Sequence, residues 1–417
     1  MVGGWYLLLM AGGIQRLADA FGGFERRVWL MLWAMLVFRF GQGLYYPFSV
    51  IYFHNVLGIS LSLVGVGLAA LAASSVVAGF VSGPLADRYG RKPVMLVSLS
   101  GAALTFLGFS IVEGFVGYLA VSVAAGLFGS SSFDAARNAM IADVTEPGTR
   151  GRAYGLVRVG GNVGWALGPM TAGLASAAAG GEAWIYTALF TGTAALTTLV
   201  MLSLVFLARE SLPTITKSSD FGGTSGVRVA LSDKAFLFLL GAGVLMYFVF
   251  TQDWQALPIY AKNFVDVPDG RIGFLLGANG LVVIALQLPV SALIERIPKT
   301  SALLLCAGLF AASSATLLLT DSFVGLLVAF AGFFTLAEMI LEVAGSALAA
   351  EIAPIKLRGT YLSLFGTCFG FSYGISPLVA GPLLQAELPD IIWTIQLLAS
   401  GGAAVGLLAL ARLRRRR

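Results

Sequence analysis

Twelve stretches of this chain run apolar for about 20 residues or more, the length a helix needs to cross roughly 30 Å of hydrocarbon. They fall at 28–53, 61–86, 93–113, 115–143, 152–178, 183–208, 234–262, 271–294, 300–320, 322–351, 358–386 and 390–411. The runs are continuous rather than alternating, which favours helices that satisfy their own backbone hydrogen bonds over a transmembrane barrel. Hydrophobic residues make up 58% of the chain and charged residues only 11%, about half the charge of a soluble domain. The expected fold class is therefore an all-α membrane protein with twelve transmembrane helices.

A constant offset of 208 residues divides the chain. It pairs Asp134 with Glu342, Asp143 with Glu351, Arg150 and Gly151 with Arg358 and Gly359, Pro169 with Pro377, and Gly173 with Gly381. Asp87 and Arg88 have Glu295 and Arg296 as counterparts in the same way. A single gapless shift that matches charge to charge and proline to proline marks a tandem duplication of six spans each.

The basic residues set the expected orientation. The N-terminal segment and the loops after even-numbered spans hold Arg26, Arg27, Arg88, Arg91, Lys92, Arg150, Arg152, Arg296 and Lys299, while the other side has only Lys262 and Arg271. Both termini are thus expected in the cytoplasm of a cell whose inner membrane holds the protein. The net charge of +5 reflects this topology, and the Arg414–Arg417 tail is expected to meet anionic headgroups rather than nucleic acid. Residues 1–27 read as an interfacial or cytoplasmic segment, 28–208 as one six-helix bundle, 209–233 as a linker, 234–411 as the second bundle and 412–417 as a basic tail. Cys306 and Cys368 lie within spans, so no disulfide framework is indicated. His54, the single histidine, has no partner for a metal site or catalytic dyad. No nucleotide-binding signature and no soluble catalytic domain are present, so the chain reads as a non-enzyme without cofactor, energised by an ion or substrate gradient.

Charges left inside spans each cost at least about 2.5–3.5 kcal/mol near the bilayer centre, so they are expected to face protein or water. The deepest are Arg39, Asp253, Glu338 and Glu342, with Asp134, Arg137 and Arg158 nearer the cytoplasm. Glu338 and Glu342 share one helix face a turn apart. Two carboxylates in a low-dielectric site repel when both are ionised, which suits proton uptake; the alternative is that they tie to Arg39 or Arg137 between helices. Asp134 and Arg137, three apart, can pair along their own helix. Asp253 sits in FVFTQDWQALP beside Trp254, a context that reads as a cavity wall. Aromatic residues near these acids suit an apolar or cationic substrate.

Gly83–Pro93, GPLADRYGRKP, resembles the loop between the second and third helices of the major facilitator superfamily. Gly155, Gly164, Gly168, Pro169, Ala172 and Gly173 are similar to the span 5 motif of its drug/proton antiporters, with one glycine replaced by alanine, and Ala136–Gly155 resembles the end of span 4 in that branch. The resemblance covers residues 28–411 and implies the major facilitator fold, two pseudo-symmetric six-helix bundles around a central cavity. It implies further that Asp87 and Arg91, with Gly83, Arg88 and Gly90 in the same motif, form a charge lock with Asp143 that closes when the transporter faces outward. Gly164, Gly168 and Pro169 would bend span 5 and seal the cavity, Arg137 stands for the span 4 arginine, and Asp253 and Glu338 align with acids that handle protons and drugs. The implied function is proton-coupled efflux of amphiphilic or cationic compounds by a monomer, its partners being the substrate, protons and the bilayer. A sugar or nutrient transporter on the same fold is the alternative. The C-terminal half holds the makings of a second, weaker clasp in Glu295 and Glu351.

Overall fold

The computed structural model describes residues 24–146, 149–211 and 224–415. Twelve long helices among them follow the predicted spans and are numbered accordingly. They are α1 Arg26–Val56, α2 Leu61–Tyr89, α3 Arg91–Ile111, α4 Gly114–Asp143, α5 Arg150–Ala178 and α6 Ala183–Leu207, then α7 Lys234–Asn263, α8 Asp269–Glu295, α9 Lys299–Leu319, α10 Phe323–Ile352, α11 Arg358–Gln385 and α12 Pro389–Arg415. No strand occurs among the described residues. Residues 1–23 of the N-terminal segment expected over 1–27, most of the linker (212–223) and the last two tail arginines lie outside the described residues; the linker's end forms a short helix, Thr224–Ser232.

Eleven of these helices are apolar enough to cross a membrane by length and composition, and α5 is the exception. Its arginines and Asn162 lower its hydropathy, and Arg158 and Asn162 are tolerated because they line the space between the bundles rather than lipid. Gly160, Gly164 and Gly168 fall on one stripe facing α1. A Cβ at these positions would come within 2.9, 2.4 and 2.6 Å of the Leu32, Leu36 and Phe40 carbonyl oxygens, respectively. In lipid, helix association depends on such close backbone approach rather than on a hydrophobic driving force.

Helices α1–α6 pack as one bundle and α7–α12 as another, and they meet chiefly along two seams, α5 with α8 and α2 with α11. The seams repeat the duplication. A Cβ on Gly65 would lie 2.3 Å from the Pro377 carbonyl oxygen, and one on its counterpart Gly273 would lie 2.4 Å from that of Pro169. Likewise Gly381 abuts the Leu61 carbonyl and Gly173 that of Asp269, at 2.5 and 2.7 Å. The motif residues Pro169 and Gly173 thus serve the seam between bundles, while Gly164 and Gly168 serve the α1–α5 contact.

Two helices depart from regular winding where they border the space between the bundles. Gly129 interrupts α4, and Ser98 of α3 donates to the freed Phe128 and Gly129 carbonyls at 3.0 and 3.1 Å. In α10, π-helical stretches at Val328–Phe334 and Leu341–Gly345 flank the turn carrying Glu338. The misaligned carbonyls of Ala329, Phe330 and Ala337 accept from Ser313, Thr335 and Cys306. Such bulges persist in lipid when side chains satisfy the backbone, and they often mark functional positions.

Candidate functional site

A cavity of about 1730 Å³ lies between the bundles, large enough for a drug-sized molecule with water. It opens toward the face that carries the basic loops. Gly79 and Gly83 of α2, Gly155 of α5 and Gly359 and Gly366 of α11 have no atom within 4 Å of a built Cβ, whereas the seam glycines nearer the opposite face, Gly65, Gly173, Gly273 and Gly381, are in tight contact. The seams are therefore closed at the far face and splayed at the basic face.

The far face is sealed by polar contacts. Asp269, 4% exposed, accepts from Ser176 and Tyr186 of the first bundle at 2.5 Å each and pairs with Lys262 at 2.6 Å. Across the other seam the Leu61 amide donates to Gln385 Oε1 at 2.8 Å. Sequence reading did not single out Asp269, Ser176 or Tyr186. Asp269 and Lys262 lie at helix ends where a charge is unremarkable, and the hydroxyl partners come from 83 and 93 residues away.

On the first-bundle wall, Arg39 Nη2 meets Asp134 Oδ2 at 2.8 Å and Arg137 Nη1 meets Asp134 Oδ1 at 2.7 Å. One carboxylate thus holds two guanidiniums, and Arg39 also donates to Gln42 Oε1 at 2.7 Å. Arg158 adds a third positive charge to this wall. On the second-bundle wall stand Glu338 and Glu342. Neither ties to Arg39 or Arg137, because those two are gathered by Asp134. Glu342 instead pairs with Arg158 across the cavity at 3.6 Å and accepts from the Tyr247 hydroxyl at 3.3 Å. Glu338 accepts from Asn279 Nδ2 at 2.8 Å and has no ion-pair partner among the described residues. Asn279 also donates to Thr335, the hydroxyl that stabilises the π turn, so the distorted winding and the placement of Glu338 are linked.

The expected cavity-wall position holds for Trp254 but not for Asp253. Successive residues of a helix point about 100° apart, and here Trp254 turns into the cavity while Asp253 faces the interior of its own bundle, fully buried. Asp253 Oδ1 accepts from Gln396 Nε2 of α12 at 2.7 Å, and Gln396 Oε1 accepts from Ser314 of α9 at 3.0 Å. The inner end of the cavity is aromatic: Trp165 and Trp254 meet at 5.7 Å between ring centroids, joining the bundles, and Tyr46 abuts Trp165 edge-on at 5.8 Å.

The loop motif forms a clasp at the basic face. Arg91 pairs with Asp87 and, at 3.2 Å, with Asp143. This clasp joins α2, α3 and α4 within a single bundle, so it is made while the cavity stands open to the same face. The resemblance implies a lock closed when the transporter faces outward; here its ion pairs are made with the cavity open to the basic face. A Cβ on Gly83 would meet nothing within 4 Å here, and Arg88 is exposed, lying over the Tyr89 ring at 5.2 Å. Gly90 adopts φ +105°, a conformation reserved for glycine, and a Cβ there would lie 2.5 Å from the Glu210 carboxylate. That carboxylate caps α3, accepting from the Arg91 and Lys92 amides at 3.0 Å each, while Lys92 Nζ caps α6 at the Val205 and Ala208 carbonyls. Glu210 is a further clasp residue that the sequence reading passed over. The second half builds no equivalent: Glu351 pairs with Arg414 of α12 at 3.4 Å, and Glu295 has no ion pair among the described residues.

Residues 31–268 and 254–417 each match the sequence profile of the Major Facilitator Superfamily. The chain belongs to the major facilitator superfamily. It is 28% identical over 391 residues to an uncharacterised transporter of this type from Bacillus subtilis, covering 92% of each chain. It is 26% identical to a Na(+), Li(+), K(+)/H(+) antiporter of Planococcus maritimus, covering 80% of this chain and 84% of that one. A multidrug resistance protein, MdtH, of Yersinia enterocolitica is 23% identical, covering 84% and 85%. The fold matches a crystal structure of a POT family transporter in complex with a thioalcohol-conjugated peptide, with TM-score 0.77 and 14% identity, covering 95% of this chain and 97% of that one. The superfamily transporter is thus a multi-pass membrane protein and not an enzyme.

Proposed function

We propose that this transporter exports small amphiphilic or cationic organic compounds in exchange for protons, as a monomer with both termini in the cytoplasm and the cell's inner membrane as its site. In that orientation the cavity opens to the cytoplasm and is sealed outside, the state that loads cargo for export. The observation that carries the reading is Glu338: a cavity-facing acid held by a neutral amide, with no ion-pair partner among the described residues. Its charge is left for a proton or a substrate cation to neutralise, and competition between the two is what antiport requires. Occupation by either one lowers the cost of occluding the site and biases the equilibrium between facing states.

Asp253 is the second acid proposed to carry a proton, away from the substrate and behind Trp254. The clasp of Asp87, Arg91 and Asp143, the stripe of Gly164 and Gly168, and the relatives named for multidrug resistance and for cation/proton antiport support the antiport reading. The aromatic, drug-sized cavity favours an organic substrate over a bare inorganic cation, and the proton gradient would be the energy source without any cofactor. In proteoliposomes, Glu338→Gln is expected to abolish flux driven by a pH gradient while leaving a folded, monodisperse protein. Unchanged coupling in that variant would overturn the assignment.

A further inference from the structure

The charges lining the cavity are divided between the bundles. The first-bundle wall carries Arg39, Arg137 and Arg158 against one acid, Asp134, while the second-bundle wall carries Glu338 and Glu342 with no lining cation. Each wall therefore holds two unbalanced charges of opposite sign, and the direct contact between them is the Arg158–Glu342 pair at 3.6 Å. Its side chains are 60% and 36% exposed, so water and ligand both reach it. Two helical turns deeper on α5 than Arg158 lies Trp165, which with Trp254 forms the aromatic inner end.

We propose that the preferred cargo is a zwitterionic aromatic amphiphile, whose ring system stacks at Trp165 and Trp254 and whose anionic group takes Arg158 while its cationic group takes Glu342 or Glu338. This rests on the export reading only in identifying the cavity as the substrate site. A zwitterion inserted between the walls replaces one ion pair with two and leaves neither charge unpartnered. A plain cation competing for Glu342 meets Arg158 within the range where like charges repel. A plain anion has the converse difficulty, since it meets Glu342 beside Arg158. Complementarity of this kind acts mainly on selectivity between ligands of similar apolar surface, which a matched pair of ligands isolates.

Rhodamine B carries a free carboxylate and a cationic ring system, and rhodamine B ethyl ester is the same ring system as a monocation. Equilibrium binding of each to the purified full-length protein, read by dye anisotropy and by quenching of tryptophan fluorescence, should favour the zwitterion about tenfold, the factor expected for one screened charge contact in a wet cavity. Arg158→Gln, at an exposed position where folding is not at stake, should erase that preference by weakening the zwitterion and, with the like charge gone, strengthening the ester. Glu342→Gln should weaken both dyes. Equal affinities in the wild type, a preference for the ester, no binding of either dye, or a preference that survives Arg158→Gln would each overturn the proposal. Equilibrium binding needs neither a gradient nor a direction, so a failure here is separate from a failure of proton-coupled export.

Discussion

Asn55 and Asn263, 208 residues apart, each donate from the side-chain amide to the other's carbonyl oxygen, at 2.9 and 3.1 Å. Because 208 is also the repeat offset, residues that the duplication made equivalent meet each other across the pseudo-twofold axis at the far face. The two seams below them use the same positions in turn, Leu61 and Asp269, Gly65 and Gly273, Pro169 and Pro377, Gly173 and Gly381. The symmetry breaks in the polar contacts: where the first half has Leu61, the second has Asp269, which pairs with Lys262 and accepts from Ser176 and Tyr186. The two seams therefore have similar backbone packing and different polar content, and the electrostatic lock is on the α5–α8 side alone.

That asymmetry makes Asp269 the residue whose loss should open the far face. Its ion pair with Lys262 lies within the second bundle, but the hydrogen bonds it accepts from Ser176 and Tyr186 cross the seam, and hydrogen bonds to a charged group are worth about 1.5–3 kcal/mol each. Separating the bundles at this face breaks those two cross-seam hydrogen bonds, so Asp269→Asn, which weakens them in the closed arrangement, should shift the population toward the open one. Spin labels at Glu182 and Ala386, exposed on opposite bundles at the far face, should report a longer distance in the variant. An unchanged distance distribution would show that the seams hold without the lock.

Among the described residues, the clasp at the basic face is assembled in the first half. Asp87→Asn removes a carboxylate bound to Arg91, whereas Glu295→Gln removes one with no ion pair among the described residues. Initial transport rates should therefore fall at least several-fold in Asp87→Asn and stay near wild type in Glu295→Gln. Equal loss in both would mean that the second half forms its own clasp in another state.

The antiporter-motif glycines should differ sharply in their tolerance of a methyl group. A Cβ at Gly164 would enter the α1 backbone, 2.4 Å from Leu36 O and 2.7 Å from Phe40 N, while one at Gly155 meets nothing within 4 Å. Overpacking costs about 1–3 kcal/mol, so Gly164→Ala should lower the thermal midpoint of the detergent-solubilised protein. Gly155→Ala should leave it unchanged or raise it slightly, since alanine is the better helix former by about 1 kcal/mol. Similar midpoints for the two variants would contradict the close α1–α5 approach.

Much of the architecture was legible in the sequence, because hydrophobic length and a 208-residue echo both act over long stretches. The Asp134–Arg137 pair was legible too, being one helical turn. The partner of Arg39 was not, since Asp134 lies 95 residues away and composition gives no sign of which helices touch. Asp253 shows the limit of local context: aromatic neighbours and a proline suggest a wall, but a 100° step between successive side chains sends Trp254 into the cavity and Asp253 into the bundle. The far-face lock escaped notice for a related reason, as Ser176 and Tyr186 carry no charge and become informative only once α8 is placed against α5 and α6.

The central claim is that substrate and proton compete for Glu338, and proton release on substrate addition tests it most directly. Purified protein in weakly buffered detergent solution, mixed with a panel of aromatic amphiphiles, should acidify the medium in proportion to the ligand bound. Glu338→Gln should bind the same ligands and release fewer protons. Binding without acidification by the wild type, or equal acidification by Glu338→Gln, would contradict the account.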